Sequence, residues 1–262
     1  MKSLSIAATG MLAQQRNVEV ISNNIANLNT VGFKRQRAEF QDLLYQTIER
    51  AGASSSITGT ATPNGVQIGA GVKTGSVYRI TEQGNVTSTG NELDLAISGR
   101  GLFRIQLPDG AEAFTRAGNF AVSADGRIVT EDGYEVFPGV TVPEETVDLS
   151  ISEDGLIEAR LADDEDLQEL GVLELATFLN ESGLEAIGDN LLLETTASGQ
   201  PTIGNPGEPG FGRLLQGFIE TANVDPVQEI TSLIAAQRAY ELNARVIETS
   251  DEMLSTNANL QS

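Results

Sequence analysis

With 37 acidic side chains and not one histidine or cysteine, this 262-residue chain has a narrow range of possible chemistries. Without histidine or cysteine there is no Ser-His or Cys-His dyad, no Cys/His zinc set and no disulfide. Carboxylates could still act in pairs, as glycosidases use them, but such pairs flank a sugar that usually stacks on aromatic rings. The chain has four tyrosines, nine phenylalanines and no tryptophan, and no acid stands in a distinctive local motif. The run Asp163-Asp164-Glu165-Asp166 lacks the spacing and glycine of a calcium loop and reads as a solvated turn. Gly69-Ala70-Gly71 and Gly99-Arg100-Gly101 are not completed to G-x-G-x-x-G, and no G-K-[ST] occurs. The residues that could do chemistry therefore form no active site, metal centre or cofactor cradle. The expectation is a non-enzyme with no cofactor.

The net charge of −21 argues against nucleic acid, whose affinity comes from Lys and Arg on phosphates. Its distribution is more informative than its total. Residues 1–50 carry six Lys/Arg and four Asp/Glu, and residues 216–262 carry two and seven. The remaining 165 residues hold eight bases and 26 acids. The ends are nearly neutral and the middle strongly acidic, which suggests different jobs for the two parts. No segment reaches the ~18 consecutive apolar residues of a membrane helix, and the N-terminus makes a poor cleavable signal.

Two helices bracket the chain. Leu4, Ala7, Met11, Gln14, Val18, Ile21, Ile25 and Leu28 recur at 3-4 spacing and line one stripe. Gly10 interrupts this run and marks either a weak point or a close helix approach. At the other end, Asp225-Pro226-Val227-Gln228 reads as an N-cap, a proline at the first helical position and a capping-box glutamine. From Val227 to Ser262 there is no glycine or proline, and Ile230, Leu233, Gln237, Tyr240, Ala244, Ile247, Asp251, Leu254 and Ala258 repeat at 3-4 spacing. Such a helix would be a rod of roughly 50 Å. The two helices could cover a sheet, or could form a layer of their own that other subunits complete.

Between them the period changes to two, as in Leu93–Ile97, Phe103–Leu107 and Val147–Ile151. Asp109-Gly110, Asp125-Gly126, Asp132-Gly133 and Asp154-Gly155 supply the positive φ of tight turns. The predicted fold class is α+β, with paired terminal helices and a mainly antiparallel β-rich middle. The predicted division is a helical assembly domain of residues 1–45 with 216–262, a stretch or loop at 46–67, and an acidic β-rich domain at 68–215. Residues 51–65 have the composition of a flexible loop, and residues 204–210 form a similar Gly/Pro-rich junction.

Particular residues then carry a resemblance. The run from Ser22 to Lys34, with Asn24, Ala26, Asn27, Thr30, Gly32, Phe33 and Lys34, resembles the signature of bacterial flagellar rod and hook proteins. The blocks Leu93–Phe103 and Phe114–Phe120, and the end Gln237-Arg238-Ala239-Tyr240-Glu241 with Asn243, are similar to the family's shared core. Length and spacing look most like the distal rod members. Proximal rod and hook subunits are the alternative within the family, and an acidic adhesin or scaffold the alternative outside it. The resemblance implies terminal helices packed in a coiled-coil layer around an export channel, with the seam residues Leu4, Ala7, Met11, Val18, Ile21, Ile25, Leu28, Ile230, Leu233, Tyr240, Ala244, Ile247 and Leu254 making the assembly. It implies a helical homopolymer that meets proximal rod proteins, the hook protein, the surrounding rings and the flagellar export apparatus. That rod would cross the periplasm to the outer membrane and be exported without a cleaved signal. It also implies that residues 46–67 pack between neighbouring subunits; the Ser/Thr/Gly-rich composition of 51–65 leads us to expect disorder there in a monomer and an ordered hairpin-like insert in the filament.

Overall fold

The computed structural model describes residues 2–50, 64–162 and 167–260. Both the acidic run Asp163–Asp166 and most of the 51–65 segment lie outside the described residues. The chain is α+β and divides into two compact units. One comprises residues 1–25, 36–78 and 225–262; the other comprises 26–35 and 79–224. The seams differ from those that composition suggests. The connector 26–35 and the strand before the last helix go with the β unit, and the stretch 36–78 goes with the helices.

The helical unit holds α1 (Lys2–Ala26) and α2 (Pro226–Leu260). The α2 start is set by its cap: one Asp225 carboxylate oxygen accepts from the backbone N–H groups of Val227 (2.9 Å) and Gln228 (3.2 Å), satisfying donors that a first turn leaves open. Four strands join the helices: β1 (Gln36–Asp42), β2 (Tyr45–Glu49), β3 (Val66–Gly69) and β4 (Val72–Arg79). β1 pairs with β4, and β2 with β3 in an antiparallel ladder that runs from Tyr45–Gly69 to Glu49–Val66. Residues 46–49 and 66–67 of the predicted stretch are thus two paired strands. Thr9 of α1 accepts from the Val72 N–H at 3.3 Å, which ties β4 to that helix.

In the β unit an antiparallel sheet of nine strands, counted among the described residues, is centred on Leu102–Gln106 and Glu112–Thr115. A three-stranded sheet (Thr146–Ile151, Leu156–Leu161, Leu167–Val172) packs on it through a shared core. Two further pairs, Leu95–Ser98 with Arg213–Gln216 and Val86–Ser88 with Phe218–Glu220, bring the last strands back onto the first. Ile97, Phe103, Ile105, Ile157, Leu175 and Leu214 are essentially closed to solvent. Burial of this kind contributes about 1.5–3 kcal/mol per large side chain. Phe103 meets Phe120 edge to face at 5.0 Å between centroids, a geometry worth a further ~0.5–1.5 kcal/mol. Gly110, Gly126, Gly133 and Gly155, the second residues of the four Asp-Gly turns, all have φ between +78° and +87°.

Candidate assembly site

α1 and α2 lie antiparallel in heptad register. Ser3 meets Ser250 at 3.4 Å, Gly10 lies against Asn243, and Asn24 donates to Glu229 at 3.2 Å. Stepping seven and then fourteen residues up α1 moves seven and then fourteen residues down α2, so the three contacts share one heptad register. A Cβ at Gly10 would stand 2.9–3.1 Å from the Asn243 side-chain amide; the glycine is what lets the helices approach. Asn24, buried at the end of the pair, uses its whole amide. It donates to the Gln36 carbonyl (2.9 Å) and to Glu229, and accepts from the Gln36 N–H (2.8 Å). Through it, the start of β1 is fixed to both helices.

The α2 face turned to α1 is not the predicted apolar stripe. Glu229, Ala236 and Ser250 are buried and Asn243 is half-buried, one residue before the 230-237-244-251 series. One residue is about 100° around a helix. Of the predicted α2 seam, Leu233, Ala244 and Ile247 are half-buried, while Ile230, Tyr240 and Leu254 are exposed. Val227, Ile234, Leu242, Val246 and Met253 are exposed as well, with Met253 at 65%. On α1, Ala7 and Ile21 are buried, and Leu4, Met11, Val18 and Ile25 are half-buried, as is Leu28 just beyond the helix. Small and polar residues form the α2 face that meets α1, which hydropathy cannot see; the predicted apolar stripe borders it, half-buried at Leu233, Ala244 and Ile247 and exposed at Ile230, Tyr240 and Leu254.

The remaining signature residues act within the β unit. Thr30 donates through its hydroxyl to the Asn27 side-chain oxygen (3.1 Å) and through its N–H to the Asn27 carbonyl (3.1 Å), turning the chain after Ala26. Gly32 has φ +68° and donates to the Glu220 carbonyl at 2.8 Å; a Cβ there would fall 2.6 Å from the Ala117 nitrogen. The Phe33 carbonyl accepts from the Asn223 N–H at 3.4 Å. Lys34 donates to Glu220 Oε1 (2.6 Å) and to the Glu82 carbonyl (2.8 Å).

Glu220, 1% exposed, is the centre of this clasp. Besides Lys34 it accepts from Arg116 Nε (2.6 Å) and the Gly84 N–H (2.8 Å). Arg116 spends its remaining donors on the carbonyls of Gly101 (2.5 Å), Ile97 and Gly99 (2.7 Å each). Asn223 completes the clasp, accepting from the Arg35 N–H (2.7 Å) and donating to the carbonyls of Ile80 and Glu82 (2.9 Å each). Burial alone would raise the Glu220 carboxyl; the Arg116 charge and the donors from Lys34 and Gly84 outweigh it and hold the group below its usual range. Burial pulls the Lys34 ammonium below its ordinary value, against the pull of Glu220.

A depressed carboxylate contributes stability above its unfolded pKa, and that contribution is lost as pH falls through the folded value. Urea unfolding of the β unit is therefore expected to show a wild-type advantage over Glu220→Gln that is full at pH 7 and shrinks once pH drops below about 4.3, the unfolded glutamate value. A constant advantage down to pH 3 would show that the charge on Glu220 does not matter.

Sequence reading misses Glu220 and Asn223. Glu220 is one of 37 acids and has no motif around it, and Asn223 sits in a short irregular segment. Arg116 lies inside the Phe114–Phe120 block and was findable there.

Comparison with known proteins follows the same segments. Residues 4–34 match the family described as flagella basal body rod protein, residues 96–159 the flagellar hook protein FlgE/F/G D1 domain, and residues 215–260 the C-terminal region of flagellar basal body rod FlgEFG proteins. The chain is 62% identical to the flagellar basal-body rod protein FlgG of Caulobacter vibrioides, with both chains covered in full. It is 51% identical to the protein of the same name from Agrobacterium fabrum, covering 97% of each. Against the flagellar basal-body rod protein FlgF of Caulobacter vibrioides the identity is 30%, over 96% of this chain and 94% of that one.

Proposed function

Because the chain belongs to the FlgG family of flagellar basal-body rod proteins, and so is a structural subunit of the bacterial flagellar basal body, we propose that it builds the distal segment of the rod. In this reading it polymerises helically with copies of itself into a rigid hollow shaft that carries torque from motor to hook, and performs no catalysis. The observation that carries it is the apolar surface that α2 leaves uncovered outside its contact with α1. A helix already packed on α1 by one face, yet exposing Val227, Ile230, Ile234, Leu242, Val246, Met253 and Leu254, needs other subunits to cover the rest. The half-buried Leu4, Met11, Val18 and Ile25 of α1 complete the same layer. Glu220 and Asn223, with Arg116 behind Glu220, hold residues 32–35 of the connector to the β unit and would stiffen the subunit locally.

The β2–β3 ladder supports the same reading. Tyr45, Ile48, Val66 and Ile68 are exposed on a two-stranded ladder, which alone is marginally stable in water, and a neighbouring subunit would bury them. Proximal rod proteins would meet one end of the shaft, the hook protein the other, and the basal-body rings its outside. The export apparatus would deliver each chain, and the shaft would span the periplasm to the outer membrane.

Removal of residues 226–262 tests the proposal. Electron microscopy of concentrated full-length protein should show helical filaments, and the truncated chain none, while circular dichroism keeps the β signal of the second unit. Filaments from the truncated chain, or a full-length chain that stays monomeric under all assembly conditions, would refute it.

A further inference from the structure

The helical unit carries a groove that neither the α1–α2 contact nor the clasp uses. It lies between α1 and β4, has a volume of about 310 Å³, and is floored by Ala13 and Val72. Leu12, 66% exposed, stands at its edge, and Arg16 and Lys73 stand on its rim. Glu19, the acid at the groove, is already engaged by Arg16 at 3.3 Å and by the Gln15 amide at 3.3 Å. With Arg16 and Lys73 against Glu19, the slot carries one net positive charge in a chain of charge −21 and is partly apolar.

The C-terminal half of α2 has the complementary character. Leu242, Val246 and Met253 fall at i, i+4 and i+11 and share one exposed face. The adjacent column, one residue back, holds Glu241, Arg245, Glu248 and Glu252, three acids and one base, all exposed. Lengths also agree. The groove follows α1 from Thr9 to Glu19, about 15 Å, and the α2 face from Leu242 to Met253 runs about 16 Å.

We propose that the α1/β4 groove of one subunit receives the 242–253 face of α2 from a second copy, with Leu242, Val246 and Met253 against Leu12 and the apolar floor, and Glu248 and Glu252 against Arg16 and Lys73. This rests on the polymerisation proposed above and specifies one of its contacts. The donor and acceptor surfaces differ, so each subunit offers one of each. Such a heterologous contact propagates instead of closing as a dimer. With a rotation that does not close into a ring, it extends as a helical filament, to which the contact at the β2–β3 ladder would add.

Two experiments test the contact in a flagellated bacterium whose own gene for this subunit is deleted and replaced by the variants. The chain contains no cysteine, so the single variants Leu12→Cys and Val246→Cys can be co-produced directly. Mild oxidation of isolated basal bodies should give a cross-linked dimer that neither variant gives alone. In the second experiment, Arg16→Glu with Lys73→Glu should reduce swarming at least tenfold, with the purified subunit's circular dichroism unchanged. Adding Glu248→Lys with Glu252→Lys should restore most of it.

Motile cells without the cross-link, or a charge reversal that leaves motility intact or is not rescued, would overturn the groove contact and leave the rod reading standing. If the cysteine variants abolish motility, the charge reversal and its rescue decide. Failure of the unaltered chain to restore motility would overturn the rod reading itself, and the groove contact with it.

Discussion

Glu220→Ala is expected to lower the stability of the β unit by about 3–5 kcal/mol, the usual cost of removing one partner from a buried ion pair. Most of that cost comes from what the substitution leaves behind. Arg116 stays 7% exposed, with its guanidinium aimed at a space that holds no counter-charge, and Lys34 loses its carboxylate at the same time. The Gly84 N–H also loses its acceptor. Chemical denaturation followed by circular dichroism of the full chain reads this directly. Arg213→Ala is the control, because its bridge to Glu153 is 66% and 61% exposed and should contribute about 1 kcal/mol or less. Equal effects from the two substitutions would mean that the clasp is no more than another surface pair.

Gly32→Ala is expected to be nearly as damaging, for a different reason. A left-handed backbone costs an L-residue about 1–2 kcal/mol by itself. At Gly32 the added Cβ would also lie 2.6 Å from the Ala117 nitrogen and 2.7 Å from the Arg116 carbonyl carbon, both main-chain atoms that cannot turn aside. Forcing such a contact adds about 1–3 kcal/mol. Gly90 separates the two contributions. Its φ is +73°, yet nothing stands within 4 Å of its would-be Cβ, so Gly90→Ala should show the backbone cost alone. If Gly32→Ala is no worse than Gly90→Ala, the connector is not pressed against the β unit as described.

These two residues also show where sequence reasoning succeeds and where it stops. Gly32 stood in a recognisable signature, and its glycine has a stated physical cause. The Asp225 cap, the four Asp-Gly turns and the period-two strands were legible because each is a local rule: a side chain meeting its own backbone, or alternation along a strand. The clasp is not local. Lys34, Arg116 and Glu220 are separated by 82 and 104 positions, and a lone glutamate has no periodicity to announce it. The pairing of the terminal helices was legible, but the face by which α2 meets α1 failed to show itself for a related reason. A 3-4 pattern of large apolar residues finds a stripe that only borders the α2 contact face, half-buried at Leu233, Ala244 and Ile247 and exposed at Ile230, Tyr240 and Leu254. The face that meets α1 is made of Glu229, Ala236, Asn243 and Ser250, which no hydropathy pattern would select. The same residues explain how two long helices with only partly apolar seams hold register: Gly10 admits Asn243, and Asn24 takes Glu229.

Bifacial use of α2 is the centre of the account, and Met253 reports on it directly. Its thioether is exposed in the single subunit, and peroxide converts an accessible methionine to the sulfoxide. Purified subunits and isolated basal bodies, treated with the same peroxide dose and digested, give the oxidised fraction at this position by mass spectrometry. Assembly is expected to slow oxidation of Met253 at least tenfold, because a neighbouring subunit covers the exposed face that Met253 shares with Leu242 and Val246. Equal oxidation in subunit and basal body would contradict it, since the apolar face of α2 would then remain in water in the finished rod.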